Sequence, residues 1–433
     1  MRYRFIARIA VVMGLMVSPI SLVLLGNNMG TVGISFFIGM CVALIVHIPT
    51  ALVYGKLFTQ RPSLGSESEF IKETLGTFPA IVFPLCSRVV CAICASTGLL
   101  VTAGFVFNEV FVYWFPNFAF AFLLLGVILV LNLSGEKISG MIQIICVLVV
   151  IIGLITLSVA GVLKLEDVSL LEKEVSFASS VRAGLLALFL YIGFDLGGFA
   201  YTGNSDGTHH GDLGKPMVVG IILVGGVFCM WGLVSALYVP PDTLANTSIP
   251  YTITARKILG QPGRIIIGLV IIAGVCSAVN ALFGAVSKMI HGIMVTHGLL
   301  PQFFRVGGHR APLFLFLLAT GVALMMVVGV AGNPDLDIYI RAGLLFWLLN
   351  YAVFHVSVFT AKKRFSHNYQ IFHTQRFPIA ATLCVFVLVC GFFWLLWSDN
   401  NSNVLITFML FVFALISVLS LIWIVLKKRL KII

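Results

Sequence analysis

One carboxylate stands inside an apolar stretch beside three glycines, in Leu188-Phe189-Leu190-Tyr191-Ile192-Gly193-Phe194-Asp195-Leu196-Gly197-Gly198. At bilayer depth a carboxylate costs about 2.5 to 3.5 kcal/mol on insertion scales, so it is retained where it faces protein, ligand or a water-filled path. The glycines weaken the helix around it, and irregular backbone at that depth survives only where it lines a cavity or is covered by protein. A second interruption lies near the start of the chain, at Val17-Ser18-Pro19-Ile20-Ser21, where proline removes a backbone donor and opposes continuous helix. Two broken spans, each opening one half of the chain, are the pattern of a transporter with its site at mid-membrane.

The rest of the chain supplies the membrane. Of 433 residues 60% are hydrophobic and 10% charged, and the mean hydropathy is +1.09. Such a composition excludes a soluble domain of this size and predicts an all-α polytopic membrane protein. Windows of roughly 20 apolar residues predict twelve transmembrane helices, at 5–26, 33–58, 77–107, 116–133, 138–163, 180–203, 215–238, 262–290, 312–331, 336–360, 377–397 and 403–426. The N-terminal run after Arg2, Arg4 and Arg8 is too long for a signal peptide and counts as the first span.

With the N-terminus inside, the cytoplasmic segments hold nineteen Lys and Arg and the outer loops six, with Arg88 and Arg341 within spans. That asymmetry predicts both termini on the cytoplasmic side of a plasma or inner membrane. The net charge of +11 then reflects topology and anionic lipid rather than a nucleic-acid partner, and the Lys427-Lys428-Arg429-Leu430-Lys431 cluster reads as a flank of the last span. All nine cysteines lie in apolar stretches, which argues against a disulfide framework, and Cys91-Ala92-Ile93-Cys94 reads as packing.

The polar connections 59–76, 164–179 and 239–261 are each shorter than a domain. The organisation expected is a first repeat over 1–163 (spans 1–5), a second over 164–362 (spans 6–10), and spans 11 and 12 with a basic tail over 363–433. In the inner loop, Arg61-Pro62-Ser63-Leu64-Gly65-Ser66-Glu67 predicts a turn leading into a short helix. The outer stretch from Ser248 to Gly260 predicts another, a candidate lid.

Several motifs together resemble the amino acid-polyamine-organocation permeases. The inner loop from Arg61 to Gly76 is similar to that family's Pro-x-x-Gly-Gly-x-Tyr loop. Asn132-Leu133-Ser134-Gly135-Glu136-Lys137 with Ile142-Gln143 is similar to its turn between spans 4 and 5. Tyr191-Ile192-Gly193-Phe194-Asp195 resembles its span 6 break, and His297-Gly298-Leu299-Leu300-Pro301 with Phe304 and Pro312 resembles its signature after span 8. The resemblance implies a five-plus-five inverted repeat with helices 1 and 6 broken and an amino acid held between them. It places substrate contacts at Val17, Ser18, Pro19 and Ile20 and at Tyr191, Ile192, Gly193 and Phe194. Helix termini are suited to this, since amides at one broken end attract a carboxylate and carbonyls at the other attract an amine. The chain departs from the family at Ser18-Pro19-Ile20, where one amide donor and two glycines are missing, and around Val149 and Val150, where the lysine of some proton-coupled members is absent.

Asp195 is the expected gate or proton-linked carboxylate, and Arg88, costly unless it pairs, snorkels or lines the path, is a second gating or coupling candidate with structural pairing as the alternative. Ser277 and Asn280 offer oxygen ligands where this fold would hold sodium. Arg341 follows Asp335 and Asp337 and is expected to pair locally, and Glu109 is expected at the interface. His47 and His355 read as hydrogen-bonded packing residues, while His209 and His210 beside Asp206 and Asp212 are a weaker metal or pH site. The function expected is secondary transport of an amino acid or small amine by alternating access, with proton or sodium coupling. The substrate leans neutral or apolar, because Phe194, Tyr191 and Ile20 would wall the site. The alternatives are an antiporter without ion coupling and a membrane-embedded sensor or enzyme. No cofactor is expected, no catalytic motif appears, and a homodimer is compatible with the class.

Overall fold

The computed structural model describes residues 2–164, 177–201, 213–298, 311–329, 335–364, 377–399 and 401–430. The acidic residues of the outer loop 165–176, the His209/His210 loop, and Leu299, Leu300, Pro301 and Phe304 lie outside them. The described residues form helices and no strand. Eight helices are long and apolar enough to cross a membrane, and a bent pair makes nine; three further apolar helices are shorter, at 117–133, 312–327 and 382–398. The protein is therefore a multi-pass, all-α membrane protein.

The bent pair is α1 (Arg2–Met16) and α2 (Pro19–Val32), inclined at 54°. Ser18 is extended at φ −77° and ψ 159°, and Pro19 occupies the first turn of α2. Proline is favoured there because its missing N–H would have had no partner. The next span, α3 (Ile34–Gln60), and α5 (Thr77–Val110) flank the short helix α4 (Ser66–Leu75); α6 (Asn117–Leu133) and α7 (Glu136–Leu163) follow.

The second break falls as the glycines predict. Helix α8 (Phe177–Leu186) tightens into a 3-10 turn over Ala187–Tyr191, the chain extends at Ile192, and α9 (Leu196–Tyr201) restarts. Gly193 sits at φ 103°, and a Cβ there would lie 2.8 Å from a Leu15 methyl carbon. Both its conformation and its neighbour demand glycine.

Past the break run α10 (Gly214–Tyr238), the short α11 (Pro241–Asn246) and α12 (Pro250–Leu259), then α13 (Gln261–Thr296), α14 (Ala311–Val327), α15 (Asp335–Arg364), α16 (Phe377–Ser398) and α17 (Ser402–Leu430). The chain divides into two compact units. The first comprises Met1–Ile48, Gly98–Phe194 and Pro216–Ala281, the second Pro49–Thr97, Asp195–Lys215 and Leu282–Ile433.

Burial separates the helices by role. The apolar windows of α5 and α15 are each 72% buried, whereas that of α17 has a mean hydropathy of 2.9 and is 17% buried. A helix that apolar and that uncovered has lipid as its solvent. In the second unit, α3 and the start of α10 touch backbone to backbone, since a Cβ on Gly55 would lie 2.1 Å from the Gly214 Cα.

Gly193→Ala is expected to lower stability by about 1–3 kcal/mol, the cost of a left-handed side chain pressed on a neighbour. Gly226→Ala, at a helical site with open space around it, is expected to be neutral. Melting temperatures of the two variants in detergent check the contrast.

Candidate functional site

The first unit holds both breaks. Val17, Ser18, Pro19, Tyr191, Ile192, Gly193 and Phe194 are buried, with Ile20 half-buried. The second break is backed by Leu15, two residues before Val17. The Ser18 carbonyl accepts from the amides of Ser21 (3.1 Å) and Leu22 (3.2 Å). Because Pro19 has no N–H, Ile20 carries the first amide of α2. The Tyr191 hydroxyl donates to the Met40 carbonyl (3.3 Å), and the His47 ring lies 5.7 Å from that of Tyr191 and 6.0 Å from that of Phe194. His47 Nδ1 is 2.8 Å from the Ala43 carbonyl. Helix α12 buries Tyr251 and Thr254, and a Cβ on Gly26 of α2 would strike Pro250. Burial, and then the charge of Glu109, raises the Tyr251 phenol well above its usual range, so it stays a neutral hydroxyl.

The second unit holds a fully buried ionic cluster. Arg88 of α5 is wholly enclosed, and so are Asp195 and, within 1%, Glu67. Arg88 donates from Nε and Nη2 to Asp195 Oδ2 at 2.8 and 2.6 Å, and from Nη2 to Glu67 Oε1 at 3.0 Å. Its Nη1 stands 2.8 Å from Glu67 Oε2, an ion-pair contact whose angles make no hydrogen bond.

The other carboxylate partners come from α3 and α15. Asp195 Oδ1 accepts from the Tyr351 hydroxyl (2.5 Å) and Trp347 Nε1 (3.1 Å), while Glu67 Oε1 accepts from Tyr54 (2.6 Å) and Asn350 Nδ2 (2.8 Å). The guanidinium also lies over the rings of Phe199 (4.9 Å) and Trp347 (5.5 Å), positions that favour a cation. One guanidinium therefore faces two carboxyl groups in an enclosed site.

This cluster pins α4. The residue after Glu67, Ser68, donates to the Ala80 carbonyl and lies 2.7 Å from His297 Nε2. His355 Nε2 is 2.8 Å from the Thr50 hydroxyl. Arg341 pairs with Asp337 and Asp399, and Glu109 with Arg264 at 3.4 Å. Among the described residues, no three His, Cys, Asp or Glu side chains converge as metal ligands, and the nine cysteines are free thiols.

Ser277 and Asn280 belong to an amide network in the first unit. Gln143 Nε2 donates to Ser277 Oγ (2.8 Å) and to the Ala10 carbonyl (3.1 Å), and its Oε1 accepts from Asn280 Nδ2 (2.7 Å). Asn280 Oδ1 accepts from Asn132 and Ser139, both at 2.9 Å.

Arg88 and Asp195 are thus brought into direct contact, Ser277 and Asn280 share Gln143, and the two breaks share one unit. Sequence reasoning missed the roles of Glu67, Tyr54, Trp347, Asn350, Tyr351 and Gln143. A signal existed for three of them: Trp347, Asn350 and Tyr351 are spaced i, i+3, i+4 and share one face of an otherwise apolar helix.

A family model described as amino acid permease matches residues 4–427. The chain belongs to that family, a family of transporters and not of enzymes. No curated protein matches. Among solved structures, the manganese transporter of Eremococcus coleocola, determined in complex with an aromatic bis-isothiourea substituted compound, aligns with a TM-score of 0.63 at 13% identity. The match covers 99% of this chain and 95% of that one. At that identity the likeness establishes a common fold.

Arg88→Met would leave two buried carboxylates without their cation, at an expected cost of about 3–5 kcal/mol. Arg88→Lys is not expected to restore the wild type, because an ammonium lacks the fork that spans Asp195 and Glu67. Thermal unfolding of the three proteins in one detergent checks both.

Proposed function

We propose that this member of the amino acid permease family moves an amino acid or small amine across the cytoplasmic membrane by alternating access. The proposal takes the helices as twelve spans, with inverted repeats over 1–163 and 164–362 followed by 363–433, and both termini on the cytoplasmic side. The observation that supports it best is the proximity of the two breaks, Gly193 resting on Leu15 next to Val17-Ser18-Pro19-Ile20. Helix ends meeting in this way expose amides at one and carbonyls at the other, which matches the two charged ends of an amino acid.

In this reading the substrate carboxylate meets the start of α2, where Ile20 offers the first amide, and its amine meets the carbonyls of Tyr191, Ile192 and Gly193. Phe194, Tyr191 and Ile20 wall the side chain, which favours a neutral or apolar substrate. Arg88 and Asp195 form the gate. Glu67 and Ser68 latch the inner-loop helix α4 onto it through Arg88 and His297. Proton coupling is favoured over sodium, since the oxygens of Ser277 and Asn280 already accept from Gln143, Asn132 and Ser139.

Reconstitution into proteoliposomes tests this, with a labelled amino acid panel, a proton gradient, a sodium gradient, or unlabelled counter-substrate inside. The expected result is uptake driven by the proton gradient and indifferent to sodium, reduced roughly tenfold or more in Asp195→Asn. Uptake that runs only against internal substrate would make the protein an exchanger without ion coupling. No uptake of any amino acid or amine under any condition would overturn the reading.

A further inference from the structure

Four of the nine cysteines stand in pairs, and both pairs join helices of the first unit. The thiols of Cys41 on α3 and Cys229 on α10 are hydrogen-bonded to each other, as are those of Cys146 on α7 and Cys276 on α13. Two sulfurs in contact on facing helices meet the spatial requirement of a disulfide, which most cysteine pairs in a chain do not.

The packing around Cys41 and Cys229 sets their contact. Gly225, one turn before Cys229, lets α10 close on α3: a Cβ there would lie 2.5 Å from Leu44 Cδ1 and 3.2 Å from the Tyr191 hydroxyl. That hydroxyl donates to the carbonyl of Met40, the residue before Cys41. Tyr191, which ends the 3-10 turn at the second break, is thus held in the seam between α3 and α10, with both sulfurs in electrostatic reach of its phenol. The seam is open on its lipid side. Cys41 is exposed, on the face of α3 that also presents Ile38, Val42 and Ile45, and Cys229 is half-buried. Cys146 and Cys276 are both half-buried, so a reagent dissolved in the membrane meets Cys41 first.

We propose that Cys41 and Cys229 are a redox modification site, a dithiol that a lipid hydroperoxide converts to a disulfide, clamping α3 to α10 across Tyr191 and so restraining the second break. In the first step the Cys41 sulfur attacks the terminal peroxide oxygen. The O–O bond breaks, the lipid alcohol leaves with the thiol proton, and Cys41 becomes a sulfenic acid. In the second, the Cys229 sulfur attacks the Cys41 sulfur, the S–O bond breaks and water leaves with the Cys229 proton. The two thiols together lose two electrons and the peroxide gains them; a dithiol reductant reverses the product by exchange. The effect on transport rests on the reading above, in which Tyr191 walls the substrate, whereas the disulfide and the clamp do not depend on it.

The test uses the full chain in liposomes, treated with cumene hydroperoxide and then with dithiothreitol. Peptide mapping of the unmutated protein is expected to find Cys41 joined to Cys229 after the first treatment and separate after the second. Hydrogen–deuterium exchange across 187–194 is expected to slow and then recover. The recovery distinguishes the clamp from methionine sulfoxide, which is reduced by enzymes of its own. Uptake of a labelled amino acid is expected to fall in proportion to the fraction of chains cross-linked. Cys41→Ser and Cys229→Ser are each expected to match untreated wild type within about twofold and to ignore the peroxide. Oxidation that leaves Cys41 and Cys229 unlinked, or a disulfide between them that leaves exchange across 187–194 unchanged, overturns the proposal, as does uptake that the disulfide leaves intact. Absence of uptake in the untreated protein overturns the transport reading instead, and mapping and exchange then decide the clamp.

Discussion

The second unit encloses a charge that cannot be left alone. Arg88 is fully buried in an apolar helix, and a guanidinium there must be paired, hydrogen-bonded and shielded from lipid. Its fork reaches Asp195 at one break and Glu67 on the short helix α4, and its face rests near Phe199 and Trp347. One side chain thereby ties together α4, α5, the start of α9 and, through the carboxylates, α3 and α15. A buried ion pair of this kind contributes little net stability, but it makes any arrangement lacking one partner expensive. That is the property a gate requires, since it holds one geometry firmly and yields when a charge is neutralised or replaced.

The first unit solves a different problem, that of keeping broken backbone inside a membrane. Pro19 turns α2 away from α1, and Gly193 allows the chain to leave the 3-10 turn and restart as α9. Several polar groups of the unit are joined to one another. Gln143 is the hub, joined to α1 through the Ala10 carbonyl and to α13 through Ser277 and Asn280. A single amide can join three helices because it carries two donors and an acceptor. Its amide nitrogen occupies Ser277 Oγ, while Asn132 and Ser139 occupy Asn280 Oδ1.

The sequence made the membrane character, both breaks and the need of Asp195 and Arg88 for protein partners legible, because each rests on a strong penalty: an uninterrupted apolar run, a proline or glycine in a helix, a charge at depth. The pairing of Asp195 with Arg88, 107 residues apart, was not legible as a contact, since periodicity along a chain carries no information about distant partners. Glu67 was hidden for another reason. It lies in a stretch whose Pro62 and Gly65 read as a turn leading into a short helix, and only folding shows its side chain turned inward. Gln143 was quoted within a motif, and its hub role depends on Ala10, Ser277 and Asn280 arriving from other helices. Ser277 and Asn280 were noticed for their oxygens, whose existing partners could not be seen.

The central claim is that Arg88 holds α4 and the start of α9 in place together. Hydrogen–deuterium exchange read by mass spectrometry, comparing wild type with Arg88→Met, measures this directly. Faster exchange is predicted in peptides covering both 66–75 and 192–201, with peptides from α17 unchanged. Exchange unaltered in both segments, in a variant that remains folded, would contradict the claim.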